Sequence, residues 1–281
     1  MVGAASPREP GEQDDHDPVL GRRIAVFRPV RPSPVVPVIV AAAALVFGGI
    51  ILYLLIVSGL IASIFGIVLI GAGVVVLGFS VAGMWMTAND YRSGKELRVY
   101  EHGAVVRPRG DMPLTFRWAD TRLLVSVVRR TSVYTYAYAL LGSGNRPVVM
   151  GQNIMLVNVL SNTEGDSDYG DLLTAPFFER IDVWGPMLEE GVTRAHLPRV
   201  RAELTAGRAV EFGPVTVSPE GLTVDRTQIP WGEVAGITID NGYLHIKRTG
   251  HLFRTSQPVS HIPNFLVLVA VVREFTGTSL T

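Results

Sequence analysis

Residues 35–86 constrain this chain more than any other stretch, because they contain no Asp, Glu, Lys, Arg or His. The run 35–57, at about 1.5 Å per residue, is longer than the roughly 30 Å hydrocarbon core of a bilayer. The run 60–86 is equally free of charge, and Ser58-Gly59 between them is small enough to turn the chain. The pattern predicts a transmembrane helical hairpin over residues 35–86. Basic residues flank it at Arg22, Arg23, Arg28 and Arg31 and again at Arg92, Lys95 and Arg98, with none in the turn. By the positive-inside rule both termini are cytoplasmic and the protein is integral to the inner (plasma) membrane. A signal peptide fits badly, since the first run begins after 34 residues, is too long for an h-region and leads directly into a second run. With no ionisable group inside the runs, no ion path or proton relay is marked. Ala44 and Gly48, Ala62 and Gly66, and Gly78 and Ala82 are small-xxx-small pairs, which serve packing within the hairpin or between copies.

The flanking regions are of two kinds. Residues 1–34 begin with a stretch rich in Pro, Gly and acid, with Glu9, Glu12, Asp14, Asp15 and Asp17 close together, and read as a disordered cytoplasmic tail. Beyond residue 86 short alternating runs are broken by turn residues: Leu97-Arg98-Val99-Tyr100, Ala104-Val105-Val106-Arg107, Leu114-Thr115-Phe116-Arg117-Trp118, then 123–128 and 133–141. These are strands. From about Asp182 the spacing of Trp184, Met187, Leu188 and Val192 is helical, a second helix starts at Leu197, and Pro198 is expected to break or kink the pair. A further β-series runs from 209 to 260, and Phe265, Leu268, Val269, Val272 and Phe275 then share one helical face behind Asn264 as a plausible N-cap. The expected domains are therefore 92–207, with C-terminal helices, and a shorter one over 208–281.

The two domains share an order of residues. Val99-Tyr100-Glu101-His102-Gly103 leading to Trp118-Ala119-Asp120 is echoed by Val217-Ser218-Pro219-Glu220-Gly221 leading to Trp231-Gly232-Glu233. Gly103 and Gly221 are expected to supply positive φ at a hairpin turn, and Trp118 and Trp231 to cover one end of a small barrel. This strand-turn-strand-strand order, closed by a helix, resembles the pleckstrin-homology-like (PH-like) fold. The resemblance implies a fold class of α+β, mostly antiparallel β PH-like modules, each ending in helix. The whole chain resembles a family of uncharacterised actinobacterial membrane proteins with a transmembrane hairpin and PH-like modules, through Phe116-Arg117-Trp118, Val210-Glu211-Phe212-Gly213-Pro214, Pro230-Trp231 and Ile262-Pro263-Asn264. That resemblance implies no assigned activity.

Chemistry-bearing patterns are sparse. The six histidines show no HxxxH or HExxH spacing, so no metal site is expected. No GxSxG orders a nucleophile, and Gly142-Ser143-Gly144-Asn145 lacks the Lys-Ser/Thr of a phosphate loop. Zero cysteines exclude thiol chemistry and disulfides, and zero net charge argues against nucleic acid as a partner. No cofactor is implied. The one asymmetry is basic: Arg107, Arg109, Arg117, Arg129 and Arg130 fall on the strands of the first domain, opposite acids in its loop and helix. Exposed strand positions are commonly arginine, and a basic face near a membrane also gains on the order of 1 kcal/mol per charge from anionic lipid headgroups. The sequence thus points to a non-enzymatic protein whose tandem modules bind protein partners or form a homo-oligomer, with anionic-lipid sensing by the arginine face as the alternative.

Overall fold

The structure, a computed structural model, describes residues 16–30, 95–108, 111–130, 133–151 and 172–277, together with scattered positions between 48 and 89. The chain divides into two compact units, Pro29–Lys95 and the remainder. In the first of these, described positions such as Gly48, Gly49 and Ile50 are helical and exposed. Among the described residues no helix is long and apolar enough to cross a membrane. That finding corrects the expected transmembrane fold class, the integral-membrane partner and the inner-membrane location. Most of residues 35–86, on which those expectations rest, lie outside the described residues. The physical reason is that absence of charge meets a length criterion without specifying a continuous helix, and residues 35–86 hold eight glycines, each costing about 1 kcal/mol in a helix interior.

The larger unit is built from four sheets, antiparallel throughout except where β8 meets β9. Strands β1 (His16–Asp17), β2 (Gly21–Phe27), β3 (Leu97–Tyr100), β4 (Gly103–Val106) and β5 (Leu114–Arg117) form the first in that order. Residues 16–27, expected in a disordered tail, are therefore the outer strands of this sheet. Leu20 between them is fully buried, and burial of one such side chain contributes about 1.5–3 kcal/mol. Strands β6 (Thr121–Arg130), β7 (Val133–Gly142), β8 (Val148–Gly151) and β9 (Leu173–Thr174) form the second sheet. The long helix α1 (Ile181–Thr205) follows. A third sheet holds β10 (Val210–Phe212), β11 (Val215–Val217), β12 (Gly221–Val224) and β13 (Thr227–Pro230). A fourth holds β14 (Val234–Asp240), β15 (Tyr243–Arg248) and β16 (Thr255–Pro258), and α2 (Phe265–Thr276) closes the chain.

Helix α1 is continuous through Pro186 and Pro198, contrary to the expected break. A proline inside a helix costs about 3 kcal/mol, and the apolar burial on both sides of Pro198 exceeds that. Trp184, Leu188 and Val192 enter a core with β3–β8, whereas Val200 and Leu204 enter a second core with β10–β16 and α2. The buried residues 184, 188, 192, 196, 200 and 204 recur every fourth position. Because an α-helix turns about 100° per residue, such a stripe rotates about 40° per step, or about 200° over five steps. One continuous helix thereby faces two cores in succession.

Candidate functional site

The place where the two cores meet is a groove. Strand β6 forms its floor, α1 one wall, and the β14–β15 turn together with the start of α2 the other; its volume is about 430 Å³. Two contacts fix its ends. At one, Asn264 sits in the left-handed region (φ 54°) and pairs with Leu123 as a strand residue would. Its backbone N–H donates to the Leu123 carbonyl at 2.8 Å, and its side-chain Oδ1 accepts from the Leu123 N–H at 2.8 Å. Asn264 makes no side-chain cap for α2, so the expected N-cap role is replaced by this pairing. At the other end the Asn241-Gly242 turn has φ of 49° and 79°, the type I′ signature. It presses so closely on β6 that a Cβ on Gly242 would lie 2.6 Å from the Val127 carbonyl oxygen.

Between these ends the 3₁₀ turn Val259–His261 runs alongside β6. Residues of an antiparallel pair direct both peptide groups either at the partner strand or away from it, in alternation. Leu123 faces Asn264, and the β6–β7 register runs without a bulge, Leu123 opposite Leu140, Val125 opposite Tyr138 and Val127 opposite Tyr136. The N–H and C=O groups of Val125 and Val127 therefore also point away from β7. Among the described residues no hydrogen-bond partner occupies them. Gly242 covers the Val127 carbonyl, so the groove offers apolar side chains rather than a bare sheet edge.

The walls are apolar, with Val192, Ile239, Phe265 and Leu266 among them, and two acids stand in the groove, Glu189 on α1 and Asp240 at the turn. Burial holds the Glu189 carboxyl above the usual carboxylate range, opposed by the hydrogen bond it accepts from Tyr138. The Tyr138 phenol is itself pushed up by burial and then by the neighbouring Glu189 charge. A half-buried acid among valines and isoleucine favours a cation brought to it with little water between.

Other polar groups at the core are structural. His196 donates its Nε2–H to the carbonyls of Trp118 at 2.9 Å and Thr121 at 3.0 Å. Both acceptors are carbonyls, so the proton resides on Nε2. Burial lowers its pKa, while those two hydrogen bonds oppose the shift.

Trp118 and Trp231 each open a 3₁₀ turn after a short strand. Trp118 N–H donates to the carbonyl of His102 at 3.0 Å, and Trp231 N–H donates to that of Glu220 at 3.1 Å. Gly103 lies opposite Arg117, and Gly221 opposite Pro230, at matching register positions. Neither glycine has positive φ. The expected turn role is corrected to one of space: a Cβ would lie 2.3 Å from the Phe116 carbonyl oxygen at Gly103 and 2.3 Å from that of Ile229 at Gly221.

Of the five arginines of the expected basic face, the side chains of Arg107 and Arg117 are described. Arg107 follows β4 and Arg117 ends β5, at opposite ends of one ladder, and both are exposed. Arg117 lies 3.7 Å from Asp120. Arg129 and Arg130 end β6, about 30 Å of strand beyond its start at Thr121. Arg109 and the side chains of Arg129 and Arg130 lie outside the described residues.

Sequence reasoning counted Glu189 only among the acids of the first domain's loop and helix, and passed over Asn264 as a β6 partner. The usable signal was Asn241-Gly242 as a tight turn.

Comparison with known proteins bears on one part of the chain. The model of DUF6585, a family of unknown function, matches residues 157–278. That stretch, from ahead of α1 to the end of α2, fits an uncharacterised family and includes Glu189, Asp240 and Asn264; β6 lies outside it. No curated protein and no solved structure matches the chain. The expected actinobacterial membrane family and PH-like modules thus find no support beyond that family of unknown function.

Proposed function

We propose that this chain is a non-enzymatic binding protein, and that the groove beside β6 takes a polypeptide segment. The observation that supports this reading is the groove of about 430 Å³ beside β6, apolar in its walls and lined also by Glu189 and Asp240. The apolar walls and the acids Glu189 and Asp240 select a segment that carries apolar and basic side chains together.

A display library of random heptapeptides, panned against the full chain, tests the reading. Thr193→Trp fills the groove from a half-buried position on its α1 wall. Enriched peptides should be apolar and basic, and should bind the Thr193→Trp protein at least tenfold more weakly while its circular dichroism stays unchanged. No enrichment, or binding indifferent to Thr193→Trp, overturns the proposal.

A further inference from the structure

The molecule carries a second feature that complements the groove. The connection from β15 to β16 projects Leu252 and Phe253, which are 98% and 88% exposed. Two adjacent large apolar side chains at that exposure are a surface in search of a partner. Basic groups surround them: Lys247, His251 and Arg254 are all exposed on the same connection or its strand. An apolar tip ringed by bases matches, in hydropathy and in sign of charge, an apolar groove that holds Glu189 and Asp240.

The tip cannot enter the groove of its own chain. The groove is bounded by the turn at Asn241-Gly242, which starts β15, while the tip follows Arg248, which ends it. The strand between them spans about 17 Å and is held straight by pairing on both sides.

We infer that the occupant of the groove is the Leu252–Phe253 tip of a second copy of this chain, seated along Val125 and Val127 with its basic residues against Glu189 and Asp240. This rests on the groove's being a binding site for an apolar and basic segment, as proposed above. The contact is heterologous: the tip of one molecule meets the groove of the next, so each copy keeps a free tip and a free groove unless the ring closes. A two-residue anchor buries less than a standard interface, which places the association in the micromolar range or weaker.

Light scattering coupled to size-exclusion chromatography, on the full chain over a hundredfold range of concentration, reads the association directly. The wild-type mass should rise with concentration. Leu252→Glu with Phe253→Glu, at exposed positions that no core uses, should hold the mass at that of a single chain. A groove blocked by Thr193→Trp should do the same. Because the contact joins unlike surfaces, mixing the tip variant with the groove variant restores one good tip and one good groove, and a 1:1 dimer that grows no further should form. A wild-type mass that never rises, association undiminished by the tip variant, or no dimer on mixing overturns the inference. If library peptides still bind the groove in those cases, the binding function stands and only the identity of the occupant falls.

Discussion

Two halves of the larger unit run through the same sequence of steps and end differently. In the first, β4, β5 and a 3₁₀ turn deliver Trp118 beneath α1, where it is 3% exposed. A Cβ on Gly191 of that helix would lie 2.7 Å from the indole, so the helix backbone rests on the ring. In the second half β12, β13 and a 3₁₀ turn deliver Trp231 to a rim. There it is half-buried, stacked on Phe275 at 4.7 Å with an interplanar angle of 4°, and its Nε1–H donates to the Ser218 carbonyl at 3.1 Å. The difference is one of helix length. Helix α1 has 25 residues and continues past its tryptophan into the second core, whereas α2 has 12 and stops beside its own. A repeated motif therefore fixes the local turn, and the helix laid over it decides how much energy the tryptophan contributes.

The largest effect that could break this comparison is at the tryptophans. Trp118→Ala should cost about 3–5 kcal/mol in chemical denaturation, and Trp231→Ala well under half of that, since its ring keeps water on one side. Equal losses would mean that burial does not govern the pair. At the matched glycines the halves should instead agree. Gly103→Ala and Gly221→Ala each force a backbone carbonyl to move and should each cost about 1–3 kcal/mol. Gly103→Ala should be the worse of the two, because Leu20 also lies 2.5 Å from the added methyl.

A third test sharpens the contrast through His196, for which the second half has no counterpart beside Trp231. Its folded pKa is depressed, chiefly by burial, so the unfolded chain takes up the proton first. Stability should fall as pH drops through about 6.5, the unfolded value, toward the folded one. His196→Ala should lower stability at pH 8 and flatten that dependence, which denaturation at pH 8 and pH 5.5 would read. The smallest expected effect is at Glu189. Its folded pKa is raised, so its charge weakens the fold as pH climbs through that value. Glu189→Gln should leave the melting temperature unchanged at pH 4, raise it by a degree or so at pH 8, and weaken the binding of basic peptides. A residue that costs stability yet supports binding is the mark of a functional carboxylate.

Much of the strand order was legible because alternation has a period of two and each face is either core or solvent, as in Leu97-Arg98-Val99. The face of α2 was legible for the same reason, through the spacing of Phe265, Leu268, Val269 and Val272. Continuity of α1 through Pro198 was not, because local rules price the lost hydrogen bond and cannot see Val200 and Leu204 entering a distant core. The hairpin over 35–86 was misjudged because hydropathy describes a solvent preference and not a helix. The groove was the least legible feature. It depends on Asn264 meeting Leu123, 141 positions apart in the chain, and on Gly242 meeting Val127, contacts that no local pattern records.

Amide hydrogen exchange at single-residue resolution along β6 tests the central claim most directly. In dilute wild-type protein the N–H groups of Val125 and Val127 should exchange fast, while those of Leu124 and Ser126, turned toward β7, should be slow. At high concentration Val125 and Val127 should become protected, and Leu252→Glu with Phe253→Glu should abolish that gain. No gain of protection at high concentration, or a gain that survives Leu252→Glu with Phe253→Glu, would contradict the account.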